Sequence, residues 1–239
     1  MSEVDAYSMM TIDDLDIDDE YINISSEIEN KCLVIYSHEN NSLGTGFIID
    51  NNGTFLSAGH VFKDASVGHY AYYKNVKYDY EEIFLEYMSI ELYSKESKYC
   101  RDLFIGKLLD FHEKVDNSFH LADSSSLKIE DPLFVMGYSK SNSFSETSQT
   151  IDNTTLNLNK IRTVLCLHND IIQKDKHRNM DLRLSMKNIK TIKLNNIERF
   201  HGLSGGPVFR EKEIFGVFIA DLFITSEYIM DVLKNLVMK

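Results

Sequence analysis

The sequence predicts an all-β protein closed by one C-terminal α-helix. Only two prolines occur in 239 residues, and the apolar segments are short, rich in Val, Ile, Phe and Tyr, and separated by Asn, Gly, Ser and Asp clusters. That texture belongs to half-buried strands. Asn51-Asn52-Gly53 separates two such segments and supplies the positive-φ residues of a tight hairpin turn. Near the end, Ile229, Val232, Leu233, Leu236 and Val237 recur at the spacing of one helix face from about Ser226 onward.

In chain order, residues 32–38 (CLVIYSH), 44–50 (GTGFIID) and 54–58 (TFLSA) form three successive strands, the last two joined by the Asn-Gly turn. Residues 82–93 (EIFLEYMSIELY) suit a strand or a helix, because acids and apolar residues alternate at both periods. Residues 101–109, 133–138, 161–168, 189–194 and 207–219 continue the strand series at intervals typical of a barrel or sandwich. Residues 139–157 are rich in Ser, Thr and Asn and read as a mobile loop or exposed hairpin. No internal repeat of solenoid or propeller length is present.

Composition bounds the function. With 43% hydrophobic and 26% charged residues, the chain is globular and able to bury a core. The net charge of −12 is uneven: residues 1–30 hold ten acids and no Lys or Arg, which leaves 25 basic and 27 acidic side chains in the rest. An acidic extension therefore precedes a near-neutral body. Acidity disfavours a nucleic-acid partner, and no apolar run approaches the ~18 residues that a membrane span requires. The first thirty residues lack a secretory signal, so the expected compartment is the cytoplasm. Cys32, Cys100 and Cys166 fit neither a disulfide framework nor a zinc pattern, and no metal or other cofactor is expected.

The strongest chemical signal is Gly202-Leu203-Ser204-Gly205-Gly206-Pro207. A nucleophilic serine needs donors aimed at the oxyanion that forms on the carbonyl it attacks, and glycines let the backbone turn its N–H groups there. Gly202 and Ser204 supply such a pair. Serine also needs a histidine base and a carboxylate that orients it. His60 stands where an apolar strand ends in small residues (FLSAGHV), and Asp102 heads the apolar strand DLFIGKL, a placement that asks for a partner. The remaining histidines, His38, His69, His112, His120, His168 and His177, show no ligand spacing.

GTGFIIDNNGTFLSAGH, DLFIGKL and GLSGGPV resemble, in order, the three segments of trypsin/chymotrypsin-like serine proteases that carry histidine, aspartate and nucleophile, including the HtrA-type bacterial branch, here without a PDZ domain. The resemblance spans residue 32 to the C-terminus. It implies two six-stranded antiparallel β-barrels, residues 31–125 with His60 and Asp102 and residues 126–239 with Ser204 and the helix, after an extension of residues 1–30. It implies a catalytic triad of His60, Asp102 and Ser204, an oxyanion hole of Gly202 and Ser204, and cleavage of a protein or peptide substrate. Leu203 stands where trypsins activated by cutting a prosegment have an aspartate, which argues against that activation route.

Specificity is less legible. By the resemblance, Glu198 lies at the base of the pocket, favouring Lys or Arg, or at the surface if the loop differs in length. His201 either touches substrate or is an exposed loop residue. The strand Val217-Phe218-Ile219-Ala220-Asp221 would offer its edge to an extended peptide, with Ile219 and Asp221 beside the substrate. A protease without signal or disulfides needs restraint inside its cell, which suggests narrow specificity, a closed resting state or a regulatory protein partner. Bacterial conflict and signalling systems hold effectors of this type. The alternative is an inactive homologue that binds peptides in the same cleft. Residues 160–199 carry ten basic and four acidic side chains, so the acidic extension either folds back on this surface or is a solvated disordered tail.

Overall fold

The computed structural model describes residues 27–39, 42–63, 68–88, 99–115, 119–140, 148–166, 187–193, 201–219 and 222–238. Their strands form two barrel-like sheets, followed by a C-terminal helix.

The first sheet contains β1 (Cys32–Ser37), β2 (Ser42–Ile48), β3 (Thr54–Ala58), β4 (Tyr70–Tyr73), β5 (Val76–Tyr78), β6 (Tyr80–Tyr87) and β7 (Asp102–Leu108). Its order is β5-β4-β1-β2-β3-β7-β6. The two end strands, β5 and β6, are separated in sequence by Asp79 alone, so the chain itself joins the ends and the sheet curls round six strand positions. The Asn-Gly hairpin forms between β2 and β3. Gly53 takes φ +79°, and the Asp50 carboxylate accepts from the N–H groups of Asn52 and Thr54, both at 2.9 Å. An Asx turn therefore reinforces the glycine.

The second sheet contains β8 (His120–Leu121), β9 (Pro132–Ser139), β10 (Ser148–Ile151), β11 (Thr154–Cys166), β12 (Ile189–Lys193), β13 (Pro207–Arg210), β14 (Glu213–Ile219) and β15 (Leu222–Thr225). The ladder runs β9-β11-β12-β15-β14-β13 and back to β9, a closed six-stranded circuit. β10 extends β11 as a hairpin, and β8 adds a short parallel pair to β14.

Several elements differ from the sequence expectation. Residues 80–87 are strand, held on β7 through a bulge between Glu82 and Phe84, and residues 89–93 of the ambiguous segment lie outside the described residues. Within 139–157, residues 148–157 form part of an ordered hairpin rather than an exposed one. Its Asp152-Asn153 turn has φ of 48° and 63°, and Gln149, Ile151 and Leu156 are buried. Burial follows from docking on the first barrel: Asn75 N–H donates to Gln149 Oε1 (3.2 Å) and Thr150 N–H to Asn75 Oδ1 (3.1 Å). The sequence reading did not foresee the hairpin of β4 and β5, whose turn residues Lys74 and Asn75 also have positive φ.

Alternation along the second sheet divides its side chains. Leu133, Val135, Val208, Phe215, Phe218 and Phe223 fill the barrel, whereas Met136, Tyr138, Phe209, Val217 and Ile224 join one continuous core with the first barrel. Helix α1 (Ser226–Val237) follows β15 directly, buries Ile229, and donates the Tyr228 hydroxyl to Glu86 on β6 at 2.5 Å. At the other end of the described chain, Ile28 is buried and Glu27 pairs with Lys212 at 3.1 Å. No helix among the described residues is long and apolar enough to cross a membrane.

Candidate active site

β3 delivers the histidine. It ends at Ala58, and the single 3₁₀ turn Gly59–Phe62 carries His60 away from the sheet. Phe62 in the same turn stacks on Phe104 of β7, with ring centroids 3.6 Å apart, which fixes the turn against the barrel core. β7 pairs antiparallel with β3, Ala58 opposite Leu103, so Asp102 arrives beside His60. The contact is extensive. His60 Nδ1 lies 3.1 Å from Oδ1 and 3.0 Å from Oδ2 of Asp102, and the His60 backbone N–H donates to Oδ1 at 2.6 Å.

Asp102 is 1% exposed, while the His60 side chain is 34% exposed. A buried carboxylate is tolerable only when hydrogen-bonded, and here its acceptors meet both the ring and the main chain of one residue. A carboxylate facing Nδ1 keeps the proton on that nitrogen and leaves Nε2 as the proton acceptor.

The serine loop comes from the second barrel. Gly205 N–H donates to Phe218 O (2.8 Å), Phe218 N–H to Gly206 O (2.9 Å) and Gly206 N–H to Leu203 O (2.9 Å). From the first barrel, Thr45 N–H donates to Ser204 O at 2.9 Å. Two glycines make this packing possible. Gly202 has φ +109°, in the region that favours glycine. Gly205 has φ +92°, and a Cβ there would stand 2.0 Å from Thr45 O and 2.9 Å from Ala58 N, two residues before His60. The loop is thus pressed against the strand ends that carry the histidine.

Leu203 is fully buried and packs in the second-barrel core with Val135, Val208 and Phe218. Among the described residues, the N–H groups of Gly202 and Ser204 make no hydrogen bond, and neither does Ser204 Oγ. Two donors beside a partly exposed hydroxyl suit an oxyanion bound at that hydroxyl. The bond from Ser204 Oγ to His60 is open here, as is common before substrate binds.

The structure brings His60 and Asp102 into contact and sets the Gly202–Ser204 loop against the same strands. His201 is exposed, next to Gly202. Ile219 is 1% exposed and pairs with Leu222 of β15, so it presents no open side chain to a peptide. Val217 and Phe218 correct the expected free edge: β15 pairs with them on one side, and Gly205, Gly206 and Pro207 occupy the other. Glu198 and Asp221 lie outside the described residues, as do residues 1–26 and 167–186 of the acidic and basic segments. Among the described residues no three His, Cys, Asp or Glu side chains cluster as a metal site. Cys32 and Cys100 are buried and form no disulfide among the described residues, and burial pushes the Cys32 thiol up.

Sequence reasoning missed Thr45, whose place in Gly44-Thr45-Gly46 reads only as strand, and His38. The latter bridges the barrels, pairing with Asp152 of the β10–β11 turn and lying 2.8 Å from the Tyr72 hydroxyl.

The family model Trypsin matches residues 25–224. Among solved structures, Deg5 is similar with a TM-score of 0.61 and 13% identity, over 91% of this chain and 95% of that one. That likeness is one of fold. No curated protein matches the sequence.

Proposed function

Since the chain belongs to the trypsin family of serine proteases, we propose that it hydrolyses peptide bonds with Ser204 as nucleophile, His60 as base and Asp102 as orienting carboxylate. His60 Nε2 takes the Ser204 Oγ proton as the Oγ–C bond forms, and the carbonyl electrons move to an oxygen held by the N–H groups of Gly202 and Ser204. The imidazolium then gives that proton to the leaving amine as the C–N bond breaks. Water repeats the cycle on the acyl-enzyme and frees the serine. Asp102 stabilises the imidazolium in both halves. No group beyond these side chains and amides is required.

The observation that carries this reading is the buried carboxylate bonded to both the ring and the main chain of His60, beside a loop with two unengaged donors. Labelling with a fluorophosphonate tests it. We expect an adduct on Ser204 that is lost in Ser204→Ala and His60→Ala. No adduct on the intact protein, with or without a partner, would favour the peptide-binding homologue.

We further propose, on two features, that the enzyme is restrained and acts in the cytoplasm. Leu203 needs no newly cut amino group to hold the loop, so control falls to a partner or to the extension rather than to prosegment cleavage. Buried cysteines without a disulfide among the described residues suit a reducing compartment. The Glu27–Lys212 pair ties the start of the body to the β13–β14 turn, from which the extension would act. A bacterial conflict or signalling role rests on the resemblance alone. Deleting residues 1–26 and measuring labelling at low and high salt tests the autoinhibitory role; unchanged rates in both would remove it.

A further inference from the structure

We infer that Thr45 is the positioning residue of the nucleophile loop: its buried hydroxyl, carried by the first barrel, fixes the Gly202–Leu203 peptide that lies between the two oxyanion donors. The inference rests on the proposed role of Ser204.

Thr45 lies in β2 with no exposed surface. Its Oγ1 donates to Gly202 O at 2.7 Å and accepts from Tyr138 N–H at 2.8 Å. Its own N–H donates to Ser204 O at 2.9 Å, and its carbonyl accepts from Ser57 Oγ at 2.6 Å. A hydroxyl has one proton, and the Tyr138 amide can only donate, so the Thr45 proton must point at Gly202 O. The arrangement has one hydrogen-bonding solution.

Its consequence follows from which peptides are held. Gly202 O belongs to the peptide before Leu203, and Ser204 O to the peptide after Ser204. Thr45 therefore grips the planes on both sides of the Leu203–Ser204 peptide, whose N–H is one oxyanion donor. The other donor, Gly202 N–H, is separated from the gripped plane only by the φ and ψ of Gly202, and glycine has the softest rotation of any residue. With the carbonyl released, no hydrogen bond fixes those two angles and that donor can turn away. A fixed carbonyl keeps both donors convergent before substrate arrives, which is the preorganisation that oxyanion stabilisation requires.

The test compares Thr45→Val and Thr45→Ser in the full-length protein. The readouts are the second-order rate of fluorophosphonate labelling, kcat and KM for p-nitrophenyl acetate, and the thermal midpoint. For Thr45→Val we expect labelling and kcat to fall about 10–100-fold, with KM within about twofold, because misplacing a reacting group by an ångström costs up to ~10²-fold. Thr45→Ser keeps the hydroxyl and should stay within about threefold of the wild type.

A purely structural role would lower the thermal midpoint and leave the rate per folded molecule unchanged; that result overturns the inference while the protease reading stands. If Thr45→Val does not fold, Thr45→Ser decides. A folded Thr45→Ser protein that labels tenfold slower overturns the inference, since the hydroxyl would be present and insufficient. A wild type that never labels at Ser204 removes the protease reading and this inference with it.

Discussion

Replacing Asp102 by Asn tests the His60 arm most sharply, because the structure dictates how the amide must sit. Oδ1 accepts the His60 backbone N–H at 2.6 Å, and an amide nitrogen cannot take that place. The Asn carbonyl must therefore occupy the Oδ1 position, which puts NH₂ where Oδ2 now lies, 3.0 Å from Nδ1. An NH₂ group facing Nδ1 donates to it, drives the ring proton to Nε2, and removes the acceptor that Ser204 needs. The variant also loses the negative charge that stabilises the imidazolium. In triads of this geometry the wrong tautomer lowers kcat by about 10⁴-fold, equivalent to about 5 kcal/mol of barrier. Stability should change much less, since the lost charge-assisted bonds, roughly 1.5–3 kcal/mol each, are partly offset by no longer burying a charge. The assay is the fluorophosphonate labelling rate of Asp102→Asn at neutral pH beside its thermal midpoint. A rate within tenfold of the wild type in a folded protein would refute the argument, for it would mean that Asp102 does not set the tautomer.

Further outcomes follow from burial and hydrogen bonding. Leu203→Ala should destabilise the protein by about 2–5 kcal/mol in denaturant unfolding and slow labelling, because a fully buried anchor of the loop is removed. Tyr228→Phe should cost roughly 1.5–3 kcal/mol in the same experiment, as the hydroxyl bond to Glu86 that pins the terminal helix is lost. Asp123 is held down at about 2, chiefly by hydrogen bonding from Ser125. A depressed carboxylate adds stability above its unfolded value and loses it as pH falls, so Asp123→Asn should flatten the stability–pH slope between about pH 4 and pH 2. Parallel slopes for the two proteins would show that the folded and unfolded Asp123 titrate alike.

Much of the site was legible in the sequence because its parts are local. A glycine-bracketed serine, a histidine after a strand of small residues and an acid heading an apolar strand each need only a few neighbours to be recognised. β1, β3, the Asn-Gly turn and the terminal helix were legible for the same reason, since period and turn chemistry are read over short windows. What was hidden is long-range. Thr45 looks like any strand threonine until Gly202, 157 positions away, is folded beside it. The β10–β11 hairpin looked exposed because Ser, Thr and Asn dominate it, yet Gln149 is buried against Tyr138 and Asn75. Composition reports average polarity, and cannot report that a polar face meets a polar partner in another barrel.

These hidden contacts share a location, and it bears on how the enzyme is controlled. His60 and Asp102 come from one barrel and Ser204 from the other, so the proposed triad needs the two barrels in register. Thr45 grips the serine loop from the first barrel. In the opposite direction, Asn188, 2% exposed at the start of β12, donates to Cys100 O at 2.8 Å and accepts from Cys100 N–H at 2.6 Å, two residues before Asp102. Asn75 with Gln149, and Tyr228 with Glu86, tie the joint farther out. Each barrel thus holds the other's contribution to the site by side-chain hydrogen bonds. Such bonds contribute only about 1 kcal/mol apiece net of water. They are directional, whereas the apolar core that Met136, Tyr138, Val217 and Ile224 share with the first barrel is not, so burial holds the barrels together and the hydrogen bonds align them. A partner of the kind proposed above would therefore act by misaligning these hydrogen bonds across the shared core, with no unfolding and no cut in the chain.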